Sequence, residues 1–106
     1  MTKEDFDDRM SEITQEFNKK KEKLWIEFAK SNNIVQIGDV VRDHVGLIKV
    51  EGAQVFFPSF SNYPYMRYAG TELKKDGTLK KIETKRSVFQ GNMVEINGKP
   101  YKYEIQ

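Results

Sequence analysis

Hydrophobic residues in the first part of the chain recur with the period of an α-helix. They stand three or four residues apart, with Lys21 completing the spacing and neither Gly nor Pro interrupting it, at Phe6, Met10, Ile13, Phe17, Leu24 and Phe28. This spacing places their side chains on one face of a helix. Thr2 is suited to cap the first turn together with Asp5, and the polar residues 31–33 are suited to end the last. The sequence therefore predicts one helix from residue 2 to about residue 31.

The predicted helix is longer than the rest of the chain is wide. At a rise of 1.5 Å per residue it spans about 45 Å, whereas a compact unit made of the remaining residues is about 30 Å across. Apolar residues nearly surround the helix from residue 24 to 29, which is typical of a buried segment, but form only a narrow stripe from Phe6 to Phe17. We expect the C-terminal third of the helix to pack on the rest of the chain.

The narrow stripe of Phe6, Met10, Ile13 and Phe17 predicts either a partner or a contact with the chain's own sheet. Residues 1–16 hold six acidic against two basic residues, and residues 17–33 hold five lysines against two glutamates. An antiparallel pair of such helices would place the acidic half of one against the basic half of the other. A second copy is thus the simplest partner, and we expect a homodimer formed through the helix; a stripe folded back on its own sheet is the alternative.

From residue 34 onward the pattern changes to short β-rich runs separated by Gly, Asn and Asp. The runs 37–41, 45–50 and 53–57 predict three strands, with Gly52 as the tight link between the last two. Further strands follow around two turn sequences. The chain therefore predicts an α+β fold: a helical segment at 1–33, then a small antiparallel β-barrel of five to seven short strands at 34–106.

Two Gly-containing dipeptides predict β-hairpins in the second half of the chain. Asp76-Gly77 indicates a type I′ turn, and Asn97-Gly98 is among the strongest short hairpin signals. Pairing around the second turn sets Ile96 opposite Lys99, and Pro100 confines its strand to a sheet edge or a bulge. The residues then predicted to share one face are Tyr101, Tyr103 and Ile105.

Residues 37–52, IGDVVRDHVGLIKVEG, resemble the entry to an SH3-like barrel of the KOW type. Gly38 and Asp39 fit the start of the first strand in that family, and Gly46 precedes an alternating second strand. The glycine-rich centre usual in KOW segments is missing. The resemblance implies an SH3-like barrel that binds RNA or ribosomal and transcription proteins. The overall plan also resembles uncharacterised small proteins of bacterial phages and mobile elements, which implies no particular activity.

The residues that most enzyme mechanisms require are missing from this chain. There is no cysteine and a single histidine, His44, beside Asp39 and Asp43. His44 would suit a general base or metal ligand, but we interpret it as a turn residue between two strands. No nucleophile elbow, phosphate-binding glycine loop or zinc-protease motif is present. We expect a non-catalytic protein without metal, cofactor or small-molecule substrate.

No hydrophobic segment of the sequence suits a signal peptide or a bilayer span. The first ten residues are acidic and have no apolar core. No apolar run approaches the roughly 20 residues that a transmembrane helix requires. We expect a soluble, cytoplasmic protein.

Residues 56–68, FFPSFSNYPYMRY, concentrate six aromatic side chains in one window. Ser, Asn and Pro predict a surface loop there, and the lysines around Asp76-Gly77 predict a basic hairpin. Exposed rings beside a basic surface are typical of proteins that bind single-stranded nucleic acid. The predicted RNA or single-stranded DNA site comprises Phe60, Tyr63, Tyr65, Arg67, Lys74, Lys75, Lys80, Lys81, Lys85 and Arg86.

Two other interpretations of these residues stay open. The rings would also suit a plug at one end of a barrel, and the lysines would suit a solvated hairpin tip that protects a sheet edge. The alternative function is a protein-interaction or assembly factor that self-associates through Phe6, Met10, Ile13 and Phe17.

Overall fold

The computed structural model describes residues 1–61 and 63–104 of the chain. Within this part a long α-helix precedes a six-stranded antiparallel sheet, so the predicted α+β class is confirmed. The elements are α1 (Lys3–Ser31), β1 (Val40–Arg42), β2 (Leu47–Phe56), β3 (Tyr65–Leu73), β4 (Lys85–Phe89), a 3-10 turn (Gln90–Asn92), β5 (Glu95–Ile96) and β6 (Lys99–Pro100).

Helix α1 begins and ends where its polar residues can bond the free backbone groups. The Thr2 hydroxyl accepts from the Asp5 N–H at 3.1 Å, and the Thr2 N–H donates to the Asp5 carboxylate at 3.2 Å, which is the predicted capping box. At the other end the Phe28 carbonyl accepts from the Ser31 hydroxyl at 2.8 Å and from the Asn32 amide at 3.0 Å. These local bonds replace the next helical turn.

The helix extends well beyond the sheet. The molecule measures 67 × 33 × 22 Å and has a radius of gyration of 18.8 Å, against about 13 Å for a compact chain of this length. The excess length belongs to the N-terminal part of α1.

No helix in the described part of the chain combines the length and the apolar character that a membrane span requires.

The strands follow the order β4-β3-β2-β1-β5-β6, and each neighbouring pair is antiparallel. Strand β1 thus lies between β2 and the short β5–β6 hairpin. Among the described residues β4 and β6 form the two edges and do not pair with each other, so the sheet is open. The closed barrel predicted from the sequence is not seen. Pro100 lies on the edge strand β6, as predicted.

Strand β2 corrects one sequence prediction. The runs predicted as two strands linked by a turn at Gly52 form a single ten-residue strand. Val50 pairs with Gly70 while Gly52 pairs with Ala69, which leaves Glu51 as the extra residue of a β-bulge. Gly52 therefore bends a continuous strand, because β3 is long enough to pair with both of its halves.

The two predicted hairpin turns differ in geometry. Asn97 and Gly98 both have positive φ, 51° and 80°, and Ile96 pairs with Lys99, which confirms a two-residue turn of type I′. At the other turn Gly77 has positive φ, 85°, but Asp76 does not, so the type I′ prediction is wrong there. The Asp76 carboxylate instead accepts from the Thr78 N–H at 3.0 Å and holds the turn.

The core lies between one face of the sheet and the last turns of α1. Tyr101 and Tyr103 are half-buried while Lys102 and Glu104 are exposed, as predicted, and Ile105 lies outside the described residues. The Tyr68 hydroxyl donates to the side chain of Asn33, just after the helix. The buried residues of the main cluster are Ala29, Val35, Val41, Ile48, Val50, Met66, Tyr68, Val88 and Met93.

Candidate interaction surfaces

The connection between β2 and β3, here called the aromatic loop, packs against the end of α1. Its described residues are 57–61 and 63–64. The Phe57 ring lies 4.6 Å from the Trp25 ring, centroid to centroid, and the Tyr63 ring stacks on Phe28 at 5.4 Å. The aromatic loop therefore holds the C-terminal third of the helix against the sheet.

Tyr65 is buried, which corrects its prediction as an exposed ring. It is 7% exposed because β3 begins at this residue and turns its side chain inward. Its ring packs against Phe56 at 5.8 Å and meets Tyr103 edge-on at 5.6 Å. Burial raises the pKa of the Tyr65 phenol above its usual range. A base could not stack on this ring.

Two other predicted aromatic residues do reach solvent. Phe60 is 83% exposed at the tip of the aromatic loop, and Tyr63 is about half exposed with one face against Phe28. Arg67 is exposed on β3, where its Nε donates to the Ser87 hydroxyl at 3.2 Å and its guanidinium lies 5.9 Å from the Phe89 ring centroid. Five of the six rings in residues 56–68 thus pack against the helix or within the core, and Phe60 is the exception.

Carboxylates neutralise three of the seven basic side chains of the predicted site. Lys80 lies 2.8 Å from the Glu72 carboxylate, and Lys85 lies 2.7 Å from Glu51. The hydrogen bonds to Glu51 and Glu83 raise the pKa of Lys85. Arg86 forms ion pairs with Asp43 and Glu72. The exposed residues Lys74, Lys75 and Lys81 make no ion pair with any described residue.

Arg86 and Asp43 form a two-pronged ion pair that ties β4 to the β1–β2 turn. Arg86 Nη1 lies 2.8 Å from Asp43 Oδ2, and Nη2 lies 3.0 Å from Oδ1. Arg86 also donates to the Gly46 carbonyl at 3.1 Å and lies 3.2 Å from the Glu72 carboxylate. Burial opposes ionisation of Asp43, but the bonds from Arg86 and from the N–H groups of Gly46 and Val45 outweigh it and lower the Asp43 pKa.

Beside this pair lies a cleft of about 680 Å³, here called the basic cleft. Its lining includes Lys74, Lys75 and Lys80, together with Arg42 and His44, and also three carboxylates, Asp43, Glu72 and Glu95, the last of which pairs with Arg42. No sequence pattern singled out Arg42 as a site residue. Strand register brings it there, because Arg42 pairs with Leu47 and Leu47 pairs with Leu73, just before Lys74. His44 is exposed in the turn between β1 and β2, which is where the sequence placed it.

The rings and the lysines of the predicted nucleic-acid site lie at opposite ends of β3. The aromatic loop precedes Tyr65, and the lysines at 74, 75, 80 and 81 follow Leu73. At about 3.3 Å per residue the two ends of this strand are roughly 26 Å apart. The structure therefore does not bring Phe60 and Lys74 into one site.

The side chains of Phe6, Met10, Ile13 and Phe17, here called the apolar stripe, are exposed on the projecting part of α1. Their exposed fractions lie between 47 and 61%. They do not fold back on the sheet, because residues 1–24 are all exposed. The Lys21 ammonium group lies 5.5 Å from the Phe17 ring centroid and 5.1 Å from that of Trp25, so it extends the stripe toward the sheet.

The remaining chemistry and the comparisons add no further site. Residues 1–61 and 63–104 contain no group of three His, Asp or Glu side chains placed to hold a metal ion. No protein-family model, curated protein or solved structure matches the chain. The apolar stripe and the basic cleft are therefore the two candidate surfaces.

Proposed function

We propose that the protein is a non-catalytic assembly module that associates with a second copy of itself through the apolar stripe of α1. The observation that carries this proposal is the exposure of Phe6, Met10, Ile13 and Phe17 in one line, clear of the sheet. A soluble chain rarely leaves large apolar side chains side by side in water unless another surface covers them. A second helix with the same stripe is the simplest cover.

The exposed area is sufficient for a moderate affinity. Burying a large apolar side chain completely contributes about 1.5–3 kcal/mol, so covering the exposed half of each contributes about 1 kcal/mol. The four side chains of each stripe, with Leu24 of each copy, then offset an association cost of at least about 4 kcal/mol. We expect a dimer with a dissociation constant in the micromolar range.

Sedimentation velocity over a hundredfold range of protein concentration tests this proposal. Wild-type protein is expected to shift from monomer to dimer, and Ile13→Asp or Phe17→Asp to remain monomeric, because a buried carboxylate without a partner opposes pairing. Ile26→Asp is the matched control, since Ile26 is an exposed isoleucine on the opposite face of the same helix. Wild-type protein that stays monomeric at every concentration would contradict the proposal.

We propose further that the sheet is an open relative of the SH3-like barrel. Four features support this: the β1–β4 meander, the bulge that bends β2, the 3-10 turn between β4 and β5, and the pairing of β5 with β1. The KOW-type resemblance of residues 37–52 belongs to the same proposal. In that stretch Gly38, with φ of 95°, and Asp39 precede β1, and Gly46 precedes β2.

A second candidate function is the binding of single-stranded RNA or DNA at the basic cleft. Lys74 and Lys75, which have no carboxylate partner among the described residues, favour it, because unpaired lysines can neutralise phosphates. Phe60 does not belong to this proposed nucleic-acid site, because it lies near the other end of β3 from the basic cleft.

Fluorescence anisotropy of short labelled single strands at low and moderate salt tests the second candidate. We expect binding that weakens as salt is added and that Lys74→Glu with Lys75→Glu abolishes. Lys102→Glu, a matched change of an exposed lysine outside the cleft, is expected to bind like wild type. Flat titrations of the wild-type protein at both salts would exclude nucleic-acid binding at this cleft.

A further inference from the structure

The positions of the exposed apolar residues on α1 also indicate how two copies face each other, an inference that rests on the proposed self-association. We infer that α1 pairs antiparallel with α1 of a second copy, around a two-fold axis close to residue 15. Phe6 then faces the partner's Leu24, and Ile13 faces the partner's Phe17.

The positions of the exposed apolar residues have the symmetry that a two-fold dimer requires. In a two-fold dimer a residue that contacts a second position must be contacted in return by that position of the other copy. Phe6 and Leu24 are equally far from residue 15 along the chain, and so are Ile13 and Phe17. Leu24 is 64% exposed and lies about one helical turn after Lys21. One register therefore covers these four side chains reciprocally.

The charges along α1 also favour antiparallel helices. Residues 1–16 carry six acidic against two basic residues, and residues 17–33 carry five lysines against two glutamates. In a parallel pair the acidic half of one helix would lie beside the acidic half of the other, and the two basic halves would also lie side by side. Antiparallel helices set opposite charges together and also oppose their helix dipoles, and both effects favour this orientation.

The sheet limits how far a partner helix can be shifted along α1. Trp25 and Phe28 are already covered by Phe57 and Tyr63, so the apolar contacts of a partner helix with α1 end at about Leu24. A partner shifted further toward the sheet would meet the aromatic loop. A partner shifted away from it would leave Leu24 and its symmetry mate uncovered. In the register around residue 15 the partner's Phe6 makes the last apolar contact, at Leu24, and only the polar residues before Phe6 lie level with Trp25.

Cysteine cross-linking tests the orientation directly, because the chain contains no cysteine. The experiment uses two full-length single variants, Phe6→Cys and Leu24→Cys, each oxidised alone and in an equimolar mixture. In the antiparallel pair the two copies of residue 6 lie about 27 Å apart along the helix axis, and so do the two copies of residue 24. A disulfide allows only about 7 Å between Cα atoms. We expect a disulfide-linked dimer in the mixture and none from either variant alone.

Gln15→Cys is the control for random collision. Position 15 lies next to the proposed axis but on the face of α1 turned away from the stripe, so it is not expected to cross-link. Cross-linking of Phe6→Cys or Leu24→Cys with itself would overturn the antiparallel inference. A mixture that yields no linked dimer, although sedimentation shows the reduced variants to be dimeric, would overturn the register.

A second measurement covers the case in which these cysteine variants dissociate. A spin label on Glu4→Cys, an exposed position off the stripe, reports the distance between the two copies. The antiparallel dimer predicts a separation of about 33 Å along the axis, whereas a parallel dimer predicts labels separated only by the width of the pair. Failure of the proposed self-association would be recognised separately, as wild-type protein that remains monomeric in sedimentation.

Discussion

The side-chain amide of Gln90 donates to the main-chain carbonyl of Asn32, the residue at the end of α1, over 2.8 Å. The same amide group lies 3.2 Å from the Tyr101 hydroxyl, and its oxygen accepts from the Met66 N–H at 3.0 Å. Gln90 is completely buried. One side chain therefore joins the end of the helix, strand β3 and the segment after β6, and it helps to fix the direction in which α1 leaves the sheet.

Replacing this amide should cost substantial stability. In Gln90→Leu the side-chain volume is nearly kept, but the Met66 N–H and the Asn32 carbonyl lose their buried partner. Each unsatisfied group costs about 1–3 kcal/mol, so we expect the free energy of unfolding in urea to fall by about 3 kcal/mol. Gln54→Leu, at an exposed position on β2, is the matched control. Equal midpoints for the two variants would show that the Gln90 bonds contribute little.

Gly70 is required by the close approach of β2 and β3. A Cβ atom at Gly70 would lie 1.9 Å from the Lys49 carbonyl oxygen, which is backbone and cannot turn away. Gly70→Ala should therefore destabilise the fold by about 3 kcal/mol or prevent folding. Gly52→Ala meets open space at the bulge of the same strand pair and should change the unfolding midpoint little. Thermal unfolding by circular dichroism compares them, and a near-native Gly70→Ala would contradict the predicted clash.

The correct sequence predictions depend on residues close together in the chain. The Thr2–Asp5 capping box lies within one turn, and the Asn97-Gly98 turn is fixed by two residues that both tolerate positive φ. Their outcome needs no knowledge of the rest of the fold. The same holds for the apolar stripe, whose period alone shows which side chains share a face.

Apart from the type of the Asp76-Gly77 turn, which a bond two residues away decides, the wrong predictions depend on distant residues. The bulge at Gly52 exists because β3 pairs on both sides of it, and Tyr65 is buried because Phe56 and Tyr103 meet it from other segments. The pairing of Arg86 with Asp43 joins positions 43 residues apart. Neither periodicity nor composition contains this information, so the pairing of Arg86 with Asp43 could not be predicted.

The Asp43–Arg86 pair should make stability depend on pH in the acidic range. The Asp43 pKa is lowered in the folded protein from its usual value of 3.8. Its contribution is therefore fully present above the unfolded-state pKa and is lost as the pH falls through the folded-state pKa. Asp43→Asn should cost about 2 kcal/mol near neutral pH, and its difference from wild type should shrink as the pH falls below about 4.

Urea unfolding at several pH values measures this effect. Asp8→Asn is the control, because Asp8 is exposed on α1 and has no ion pair with any described residue. A difference between Asp43→Asn and wild type that stays constant from neutral to strongly acidic pH would show that the carboxylate charge of Asp43 is not what stabilises the turn.

The aromatic loop offers a direct optical test of helix packing, because Trp25 is the single tryptophan of the chain. Phe57 covers the Trp25 ring at 4.6 Å, whereas Phe60 on the same loop is 83% exposed. In Phe57→Ala water reaches the indole, so its emission should shift to longer wavelength. The cost should be about 1–2 kcal/mol, below that of a fully buried phenylalanine because Phe57 is partly exposed. Phe60→Ala should leave both the emission and the stability unchanged. Equal spectra for the two variants would mean that the loop does not hold α1 in solution, and the fixed projection of the apolar stripe would then lose its structural basis.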